Sequence, residues 1–371
     1  MRVDALHYDL PPELVAQHPA EERELARLLV LARGDGDVDH RRVGELSDLV
    51  PEGALVVVND TRVVPARLLG RKRETGGRVE ILLVRRVGLR AIETAPGEVR
   101  EVEIWRALGK ASKPLRFGAD VDVGARGAEQ GPAILVVRLL GRSDEDGLLE
   151  AAVWTSGGEG VDVAVRACGH VPLPPYIRRD DEAFDAERYQ TVYARHEGAV
   201  AAPTAGLHVT NAMLGRFAVR GVELASVTLH VGLGTFQPVT VDDLDQHPMH
   251  AEHFTVSRST ADAIARARAR GAPVVAIGTT TVRALESAAD PEQPGHVAPV
   301  SRETRLLVQP GYAFRVVDGL LTNFHLPRST LLALVCAFGG RERVLAAYRT
   351  AIEERYRFYS YGDAMFLWRS G

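Results

Sequence analysis

Short apolar runs that stop at polar residues or glycine recur along the chain and predict a buried sheet. Runs of about four to six apolar residues bounded in this way are typical of strands covered on both faces. Helical patterns lie between or after them, so strand and helix alternate as in an α/β fold. In open α/β sheets, ligands bind beyond the carboxyl ends of the strands, where the polar residues stand here. The runs are 55–62, 225–235, 273–283 and 320–330.

Helix boundaries are also predicted from local signals. Ser259 or Thr260 is expected to cap a helix that ends at Gly271, and Ser329 is expected to cap a second apolar helix. Gly339 and Gly340 stand at the end of that second helix, and glycine is a preferred residue at helix ends.

The pattern changes between residues 66 and 154. Short β-like segments separated by Gly, Asp and Pro follow one another there without a helical pattern, which indicates a small barrel or sandwich. We therefore predict a discontinuous larger α/β domain with a mixed sheet, residues 1–65 and 155–371. An inserted small all-β barrel-like domain, residues 66–154, completes the prediction. The length of 371 residues favours two domains.

Composition narrows the expected location and partners. The net charge of -4 argues against a polybasic RNA-coating protein, so any nucleic-acid contact must use a local patch. Cys168 and Cys336 cannot form a disulfide framework, which favours a reducing compartment. The first residues lack a secretory signal, and no apolar stretch reaches the about 18 residues of a membrane span. We expect a soluble, cytoplasmic protein with no membrane partner.

The segment 172–208 lacks core patterning and is rich in rings, amides, hydroxyls and arginines. Arginine forks suit phosphate or carboxylate, and the prolines of this segment stiffen its backbone. A long solvated connection is the alternative interpretation. Candidate ligand-binding residues of the segment are Tyr176, Arg178, Arg188, Tyr189, Gln190, Thr191, Thr204 and His208.

Polar residues at strand ends supply further candidates. Asp60 and Arg62 follow the first run, and an ordinary turn is their alternative role. Thr279 and Thr280 stand between a strand and a helix, with Arg283 nearby, where unpaired N–H groups favour an anion. Ordinary threonine capping is equally compatible with this pattern.

The segment 247–254 contains possible metal ligands. His247, His250, Glu252 and His253 make a metal-dependent hydrolase the serious rival interpretation. Their spacing differs from the helical His-Glu-x-x-His arrangement, so we predict no metal site. His250 and Glu252, two apart on an extended segment, face one side and are candidates for general-base chemistry.

Three other segments add candidates, each with a plainer alternative. His230 precedes Gly232 and Thr235, where glycine permits close approach of a ligand, although a β-turn explains the same glycines. Asn323, His325 and Ser329 follow the last run, where a buried and satisfied histidine is the alternative. Tyr361 and Asp363 stand among aromatics and arginine, a mixture that suits an unstacked base or the edge of a core.

The block PPYIRRDDEAFDAERYQTVYARHEGAVAAPTAGLH (174–208) resembles the signature block of the S-adenosylmethionine:tRNA ribosyltransferase-isomerase family of the queuosine pathway. The resemblance covers the chain apart from a divergent middle near 85–150. Ala199 and Val209 depart from the family pattern, in which serine and phenylalanine are usual. The other matching blocks are NDTRVVPARL (59–68), HVGLGTFQPV (230–239), HPMHAEHF (247–254), IGTTTVRALES (277–287), TNFHLPRSTLLALVCAFGG (322–340) and YRFYSYGDAM (356–365).

The resemblance implies a reaction and its partners. The ribosyl moiety of S-adenosylmethionine is transferred and isomerised onto 7-aminomethyl-7-deazaguanine at the tRNA wobble position, forming epoxyqueuosine and releasing adenine and methionine. S-adenosylmethionine is a substrate, and neither a cofactor nor a metal is expected. The family also implies a larger α/β domain that carries an inserted β-barrel. We expect a monomer.

Under this hypothesis the candidates divide into three groups. The catalytic candidates are His208, His230, His250, Glu252, His325 and Asp60. The substrate-binding candidates are Arg62, Tyr176, Tyr189, Gln190, Thr191, Thr204, Gly232, Thr235, Thr279, Thr280, Arg283, Asn323, Ser329, Tyr361 and Asp363. A basic patch for tRNA phosphates is assigned to Arg67, Arg71, Lys72, Arg73, Arg178 and Arg188. The remaining alternatives are the metal-dependent hydrolase and a non-catalytic tRNA-binding protein.

Overall fold

The computed structural model describes residues 1–31, 38–232 and 239–369. Its strands are β1 (Arg27–Leu31), β2 (Val38–Arg42), β3 (Leu55–Asn59), β4 (Thr61–Val63), β5 (Arg67–Lys72), β6 (Arg78–Ala95), β7 (Glu98–Ala111), β8 (Asp120–Val123), β9 (Leu135–Arg142), β10 (Leu149–Thr155), β11 (Gly169–His170), β12 (His196–Ala199), β13 (Glu223–Leu229), β14 (Glu252–Val256), β15 (Val274–Ile277), β16 (Val300–Thr304), β17 (Gly319–Asn323) and β18 (Ala364–Trp368). Its α-helices are α1 (Leu46–Leu49), α2 (Val161–Cys168), α3 (Asp185–Arg188), α4 (Asn211–Val219), α5 (Arg258–Ala269), α6 (Thr279–Ser287), α7 (Thr330–Gly339) and α8 (Arg341–Glu353). Short 3-10 helices span Val3–Leu6, Pro12–Leu14, Arg23–Leu25, Val43–Glu45, Thr204–His208 and Leu244–Gln246.

The chain divides into two compact units. The larger comprises Met1–Arg62, Pro174–Asp180 and Glu187–Gly371. Its described strands form a mixed sheet in the order β16-β14-β13-β3-β15-β17-β18-β1-β2. Strands β13, β3, β15 and β17 run parallel, whereas β14 and β18 are antiparallel to their neighbours β13 and β17. The prediction of an α/β fold with a mixed sheet is confirmed.

Strand β3 explains why the centre of this sheet lies in the core. All five of its residues are buried. Leu55 and Val57 belong to one apolar cluster, and Val56 and Val58 belong to another. Because successive side chains of a strand point to opposite faces, this division places a packed layer on each side of the sheet.

The smaller unit comprises Val63–Leu173 and Asp181–Ala186. Its strands pair antiparallel in the order β11-β5-β6-β7-β10-β9-β8, and β5 also pairs with β8. A separate apolar cluster fills it, to which α2 contributes Ala164, Val165 and Cys168. Helix α2 and strand β11 lie beyond residue 154, so the unit extends past the segment with the β-like pattern.

Serine residues cap both of the helices whose starts the sequence predicted. Ser329 caps α7 as predicted, because its Oγ accepts a hydrogen bond from the Leu332 N–H across 3.1 Å. The predicted cap of α5 was wrong: Ser257 is the N-cap, and its Oγ accepts from the Thr260 N–H at 3.1 Å. None of the helices in the described part of the chain has the length and apolar character needed to span a membrane.

Candidate active site

The carboxyl ends of four parallel strands meet in the larger unit. The strands β13, β3, β15 and β17 are consecutive neighbours in the sheet and run in the same direction. The residues at or just after their ends are His230, Asn59, Gly278 and Asn323. Strand pairing therefore brings together four segments that lie far apart in sequence, as expected of a ligand site in an α/β sheet.

Asn59 is the centre of the hydrogen bonds at these ends. Its Nδ2 donates to the Leu229 carbonyl at 2.9 Å and to Thr280 Oγ1 at 3.2 Å. Its Oδ1 accepts from the N–H groups of Leu229 at 3.0 Å and Thr61 at 3.2 Å. One buried amide thus ties the end of β3 to the end of β13 and to the start of α6. Sequence reasoning did not select Asn59, although an asparagine ending a fully apolar strand is a usable signal.

Helix α6 begins at the end of β15, as the sequence predicted. Gly278 precedes it with φ of 93°, a left-handed conformation that favours glycine. Thr281 Oγ1 donates to the Ile277 carbonyl at 2.7 Å, while Thr279 and Thr280 line a cavity. The first N–H groups of a helix lack intrahelical partners, so this end attracts negative charge.

His230 stands at the end of β13 with its ring held on one side. Its Nδ1 lies 2.9 Å from Thr61 Oγ1, and its ring stacks on that of His253 with centroids 6.4 Å apart. Partial burial lowers the pKa of His230, and the neighbouring His253 and His196 lower it further. The imidazole is therefore neutral near pH 7 and is able to accept a proton.

Asp60 lies beside this ring but points to other partners. Its Oδ1 accepts from Thr228 Oγ1 at 2.6 Å, and its backbone carbonyl accepts from the Arg195 N–H at 2.7 Å. The buried carboxylate also lies 3.8 Å from Nε2 of His196. Asp60 thus holds the segment around residue 196 against the strand ends.

His208 and Asn323 form a buried pair. Asn323 Nδ2 lies 3.1 Å from Nε2 of His208 and donates to the Tyr359 carbonyl at 3.1 Å. Burial lowers the pKa of His208 to about 4, and the cations of Arg357 and Arg23 contribute in the same direction. His208 is therefore a neutral hydrogen-bond acceptor at physiological pH.

His325 is enclosed by hydroxyl groups at the end of β17. Thr322 Oγ1 lies 2.7 Å from its Nε2, and the Tyr348 hydroxyl accepts from its backbone N–H at 3.0 Å. Tyr8 donates to the His325 carbonyl at 2.5 Å, a contact for which the sequence contains no signal. Burial lowers the pKa of His325 to about 3, so this ring is also neutral.

Two neighbouring cavities lie in the larger unit. The strand-end cavity is bounded by the ends of β15 and β17, by Val231 just beyond β13 and by the segment that precedes α4, and it includes His325. The histidine cavity lies around Arg283, and Leu331 borders both cavities. The strand-end cavity is lined by Tyr176, 201–205, Val231, 278–280, 322–326, Leu331, Tyr359 and Ser360. The histidine cavity is lined by His247, Met249, His250, Glu252, Arg283, 306–308, Thr330, Leu331 and Leu334.

A buried ion pair stands in the histidine cavity. Arg283 Nη1 contacts Glu252 Oε2, and the two side chains are 8% and 6% exposed. Glu252 Oε1 also accepts from the Gly232 N–H at 3.0 Å, while Arg283 Nε donates to the Leu306 carbonyl at 3.1 Å. Sequence reasoning placed Glu252 among general bases, whereas the fold pairs it with a guanidinium.

The His247–His253 segment does not form a metal centre in the described structure. His247 and His250 line the histidine cavity, whereas His253 is exposed on β14 with its Nε2 3.3 Å from Ser301 Oγ. No group of three or more His, Cys, Asp or Glu side chains within residues 1–31, 38–232 and 239–369 is arranged to hold a metal ion. The metal-dependent hydrolase alternative has no support.

Only some of the candidates in the segment 172–208 line a cavity. Tyr176 and Thr204 line the strand-end cavity, and the Tyr176 hydroxyl lies 2.6 Å from Ser360 Oγ. The ring of Tyr176 also lies 4.7 Å from that of Tyr359, centroid to centroid. Tyr189 and Thr191 are buried with hydroxyl groups that have no hydrogen-bond partner in the described part of the chain.

Several predicted site residues have structural contacts within the protein. Asp363 accepts from the backbone N–H groups of Arg27 at 2.9 Å and Arg357 at 2.7 Å, so it joins two chain segments. Ser329 caps α7, and Arg62 is exposed on β4. The carbonyl of Gln190 accepts from Arg23 at 2.9 Å. Thr235 lies outside the described residues.

The predicted basic residues have partners within the protein. In the smaller unit, Arg73 pairs with Asp120 and Asp122, each at 2.6 Å, and Arg67 pairs with Glu80 at 2.9 Å. Arg71 and Lys72, on the same strand β5, donate to backbone carbonyls. In the larger unit, Arg188 donates to the carbonyls of residues 20 and 21, and Arg178 donates its backbone N–H to Gln17. Tyr361, His208 and Arg188 border a third cavity.

Comparison with known proteins gives one consistent family. The family model described as "Queuosine biosynthesis protein" matches residues 3–367. A protein of Sorangium cellulosum named S-adenosylmethionine:tRNA ribosyltransferase-isomerase is 59% identical, over 99% of this chain and 98% of that protein. A protein of the same name from Anaeromyxobacter sp. is 51% identical over the whole of both chains.

A solved structure that is similar to this chain has a closely related name. The crystal structure of S-adenosylmethionine tRNA ribosyltransferase from Thermotoga maritima is 32% identical in sequence to this chain. The two structures match with a TM-score of 0.52 over 98% of this chain and 99% of that one.

Proposed function

Because the chain belongs to the queuosine biosynthesis protein family, we propose that it is an S-adenosylmethionine:tRNA ribosyltransferase-isomerase. It transfers and isomerises the ribosyl moiety of S-adenosylmethionine onto 7-aminomethyl-7-deazaguanine at the tRNA wobble position. Epoxyqueuosine is formed, and adenine and methionine are released. The observation that carries this proposal is the strand-end cavity, where the start of α6, Asn323 and the neutral ring of His325 lie around one cavity next to the end of β13.

The reaction requires a proton acceptor at two points. The substrate amine must lose a proton to become a nucleophile, and a base must remove a proton from the carbon next to the sulfonium. His230 suits the second role because it is neutral and its Nδ1 is held by Thr61 Oγ1. If Nδ1–H donates to Thr61, the lone pair of Nε2 is left to receive the proton.

The strand-end cavity also suits the departure of adenine. Its walls combine apolar surface from Val231 and Phe324 with the side chains of Thr280 and Asn323. A flat base is bound in this way, by apolar contact on its faces and by hydrogen bonds at its edge. Because the pKa of His325 is far below neutrality, that ring orients groups within the cavity rather than donating a proton.

We also propose the remaining features that the family membership suggests. The enzyme works as a monomer in the cytoplasm, without a resident cofactor, and the basic residues of β5 contact tRNA phosphates. The smaller unit is a barrel, and the pairing of β5 with both β6 and β8 supports this proposal.

The test is a reaction with defined substrates. The protein is incubated with S-adenosylmethionine and tRNA that carries 7-aminomethyl-7-deazaguanine, and adenine and tRNA nucleosides are measured by mass spectrometry. We expect equal amounts of adenine and epoxyqueuosine, and neither product with tRNA that carries guanine. Binding of tRNA without adenine release would instead support the non-catalytic alternative. As a matched pair, Thr61→Val should lower the rate, and Thr255→Val at a half-buried position of β14 should not.

A further inference from the structure

The guanidinium of Arg283 has an unused hydrogen-bonding nitrogen. Its Nη2 is buried and has no hydrogen-bond partner among the described residues, although Nη1 contacts Glu252 and Nε donates to Leu306. Arg283 is buried and lines the histidine cavity together with Glu252. A buried charged donor without a partner is costly, so the cavity is suited to a ligand that supplies an acceptor.

The surroundings of this nitrogen narrow the chemistry of that ligand. Glu252 places a negative charge beside Arg283, which disfavours a simple anion such as phosphate. The helix α7 begins at Thr330 in the same cavity and adds the positive end of its dipole. Leu306 and Leu334 supply apolar wall. The complementary ligand has one carboxylate, one ammonium group and an apolar chain.

We propose that Arg283 and Glu252 form a clamp for the α-amino acid end of S-adenosylmethionine. Arg283 Nη2 binds the carboxylate, Glu252 accepts hydrogen bonds from the ammonium group, and the apolar wall contacts the methylene groups. This inference rests on the proposed function and adds the location of one end of the substrate. Glu252 is then a substrate-binding residue and not a base.

The clamp also determines which end of the substrate lies in which cavity. Leu331 borders both of them, so a ligand held at Arg283 reaches the strand-end cavity past this side chain. The methionyl end lies in the histidine cavity, and the adenosyl end lies at the strand ends, where His230 and Thr280 stand. Methionine, which is released as a product, retains both groups that the clamp binds.

The first experiment changes the ligand and leaves the protein intact. Calorimetry measures the affinity of the full chain for S-adenosylmethionine, for the same molecule without its carboxylate, and for free methionine. We expect removal of the carboxylate to weaken binding by about tenfold or more, since a hydrogen bond to a charged group is lost. Free methionine should compete with S-adenosylmethionine for the site. It should bind more weakly, because it lacks the adenosyl end that the strand-end cavity holds. Equal affinities for the first two ligands would overturn the clamp.

The second experiment changes the protein. The paired substitution Glu252→Gln with Arg283→Met removes both charges, so that no buried charge is left alone, and it should abolish the preference for the carboxylate. Arg302→Met, an exposed arginine on β16, should keep the full preference. A double variant that still prefers the intact ligand refutes the clamp.

Failure of the clamp and failure of the proposed function give different results. If the unaltered protein releases adenine but binds S-adenosylmethionine equally well with and without its carboxylate, the clamp is wrong and the function stands. If it releases no adenine and does not bind S-adenosylmethionine, the proposed function fails and the clamp fails with it.

Discussion

Asn323 donates an amide hydrogen to Nε2 of His208 across 3.1 Å, and both side chains are buried. Because Nε2 accepts, the proton of the neutral ring must lie on Nδ1. The second amide hydrogen of Asn323 is used by the Tyr359 carbonyl, while its Oδ1 has no partner within the described residues. Because Asn323 lines the strand-end cavity, we expect its hydrogen bond to His208 to hold this oxygen toward a hydrogen-bond donor of the substrate.

Loss of either partner should impair the same step. We expect Asn323→Leu and His208→Gln each to lower adenine release by about 5- to 150-fold, because a buried polar group left without its partner costs about 1–3 kcal/mol. The double variant should be little worse than either single variant, since one interaction is removed in all three. Rates are measured with saturating tRNA, and Asn211→Leu at the exposed start of α4 is the control. Fully additive losses would contradict the coupling.

Buried neutral histidines should make the fold acid-sensitive. The folded-state pKa values of His208 and His325 are about 4 and about 3, below the ordinary value of 6.5. The unfolded chain therefore binds protons first, and stability that is present above pH 6.5 is lost as the pH falls toward 4.

This acid sensitivity is measured by urea unfolding between pH 7.5 and 4.5. Each histidine should contribute a slope of about 1.4 kcal/mol per pH unit below pH 6.5. His208→Gln should remove one such contribution, whatever it does to the absolute stability. A slope unchanged in that variant would show that His208 titrates normally in the folded protein.

His250 gives a test of catalysis that is separate from folding. Its side chain is exposed at the histidine cavity, so His250→Ala should leave the melting temperature within a few degrees of the original. Adenine release should fall strongly if His250 transfers a proton, by about 100-fold or more. Glu303→Ala, on exposed β16, serves as the control. Undiminished turnover in a folded His250→Ala protein rules this residue out.

Binding of tRNA should depend on salt through the basic residues of the smaller unit. The logarithm of affinity should fall linearly with the logarithm of salt concentration, because phosphate contacts release counterions. Combined Arg67→Gln, Arg71→Gln and Arg73→Gln substitutions should reduce that slope.

The ion pairs of Arg73 require a matched comparison in this experiment. Removing Arg73 alone leaves Asp120 and Asp122 unneutralised, so a variant with both aspartates changed to asparagine should bind tRNA more tightly than the original. Filter binding from low to moderate salt measures both effects. Affinity that does not change with salt excludes a phosphate-binding surface.

Chelation should leave the activity intact. The described residues offer no cluster of metal ligands, and proton transfer by histidine needs none. We expect the same rate of adenine release before and after prolonged treatment with EDTA. Activity that disappears and returns only with added zinc would restore a metal role for His247 and His250.

The hydrophobic pattern by itself determined the class of fold and the strands whose ends carry the candidate site. The runs at 55–62, 225–235, 273–283 and 320–330 became β3, β13, β15 and β17, because apolar runs ended by polar residues are a local signal for buried strands. The cap at Ser329 was equally local. The cap of α5 could not be predicted locally, because Ser257, Ser259 and Thr260 are all suitable N-cap residues. Thr260 Oγ1 instead donates to the Ser226 carbonyl at 2.7 Å.

Only the tertiary structure decided which of these groups meet. The sequence predicted general-base chemistry at Glu252 and a tRNA-phosphate contact at Arg73. Only the fold shows that Arg283, on α6, pairs with Glu252, and that Asp120, on β8, pairs with Arg73. Alternation along a strand states which face a side chain occupies, but it does not state which strand lies next to it. The neighbouring elements determine which groups a side chain contacts, how deeply it is buried and therefore its pKa. For this reason only the fold decides which protonation state each candidate residue has.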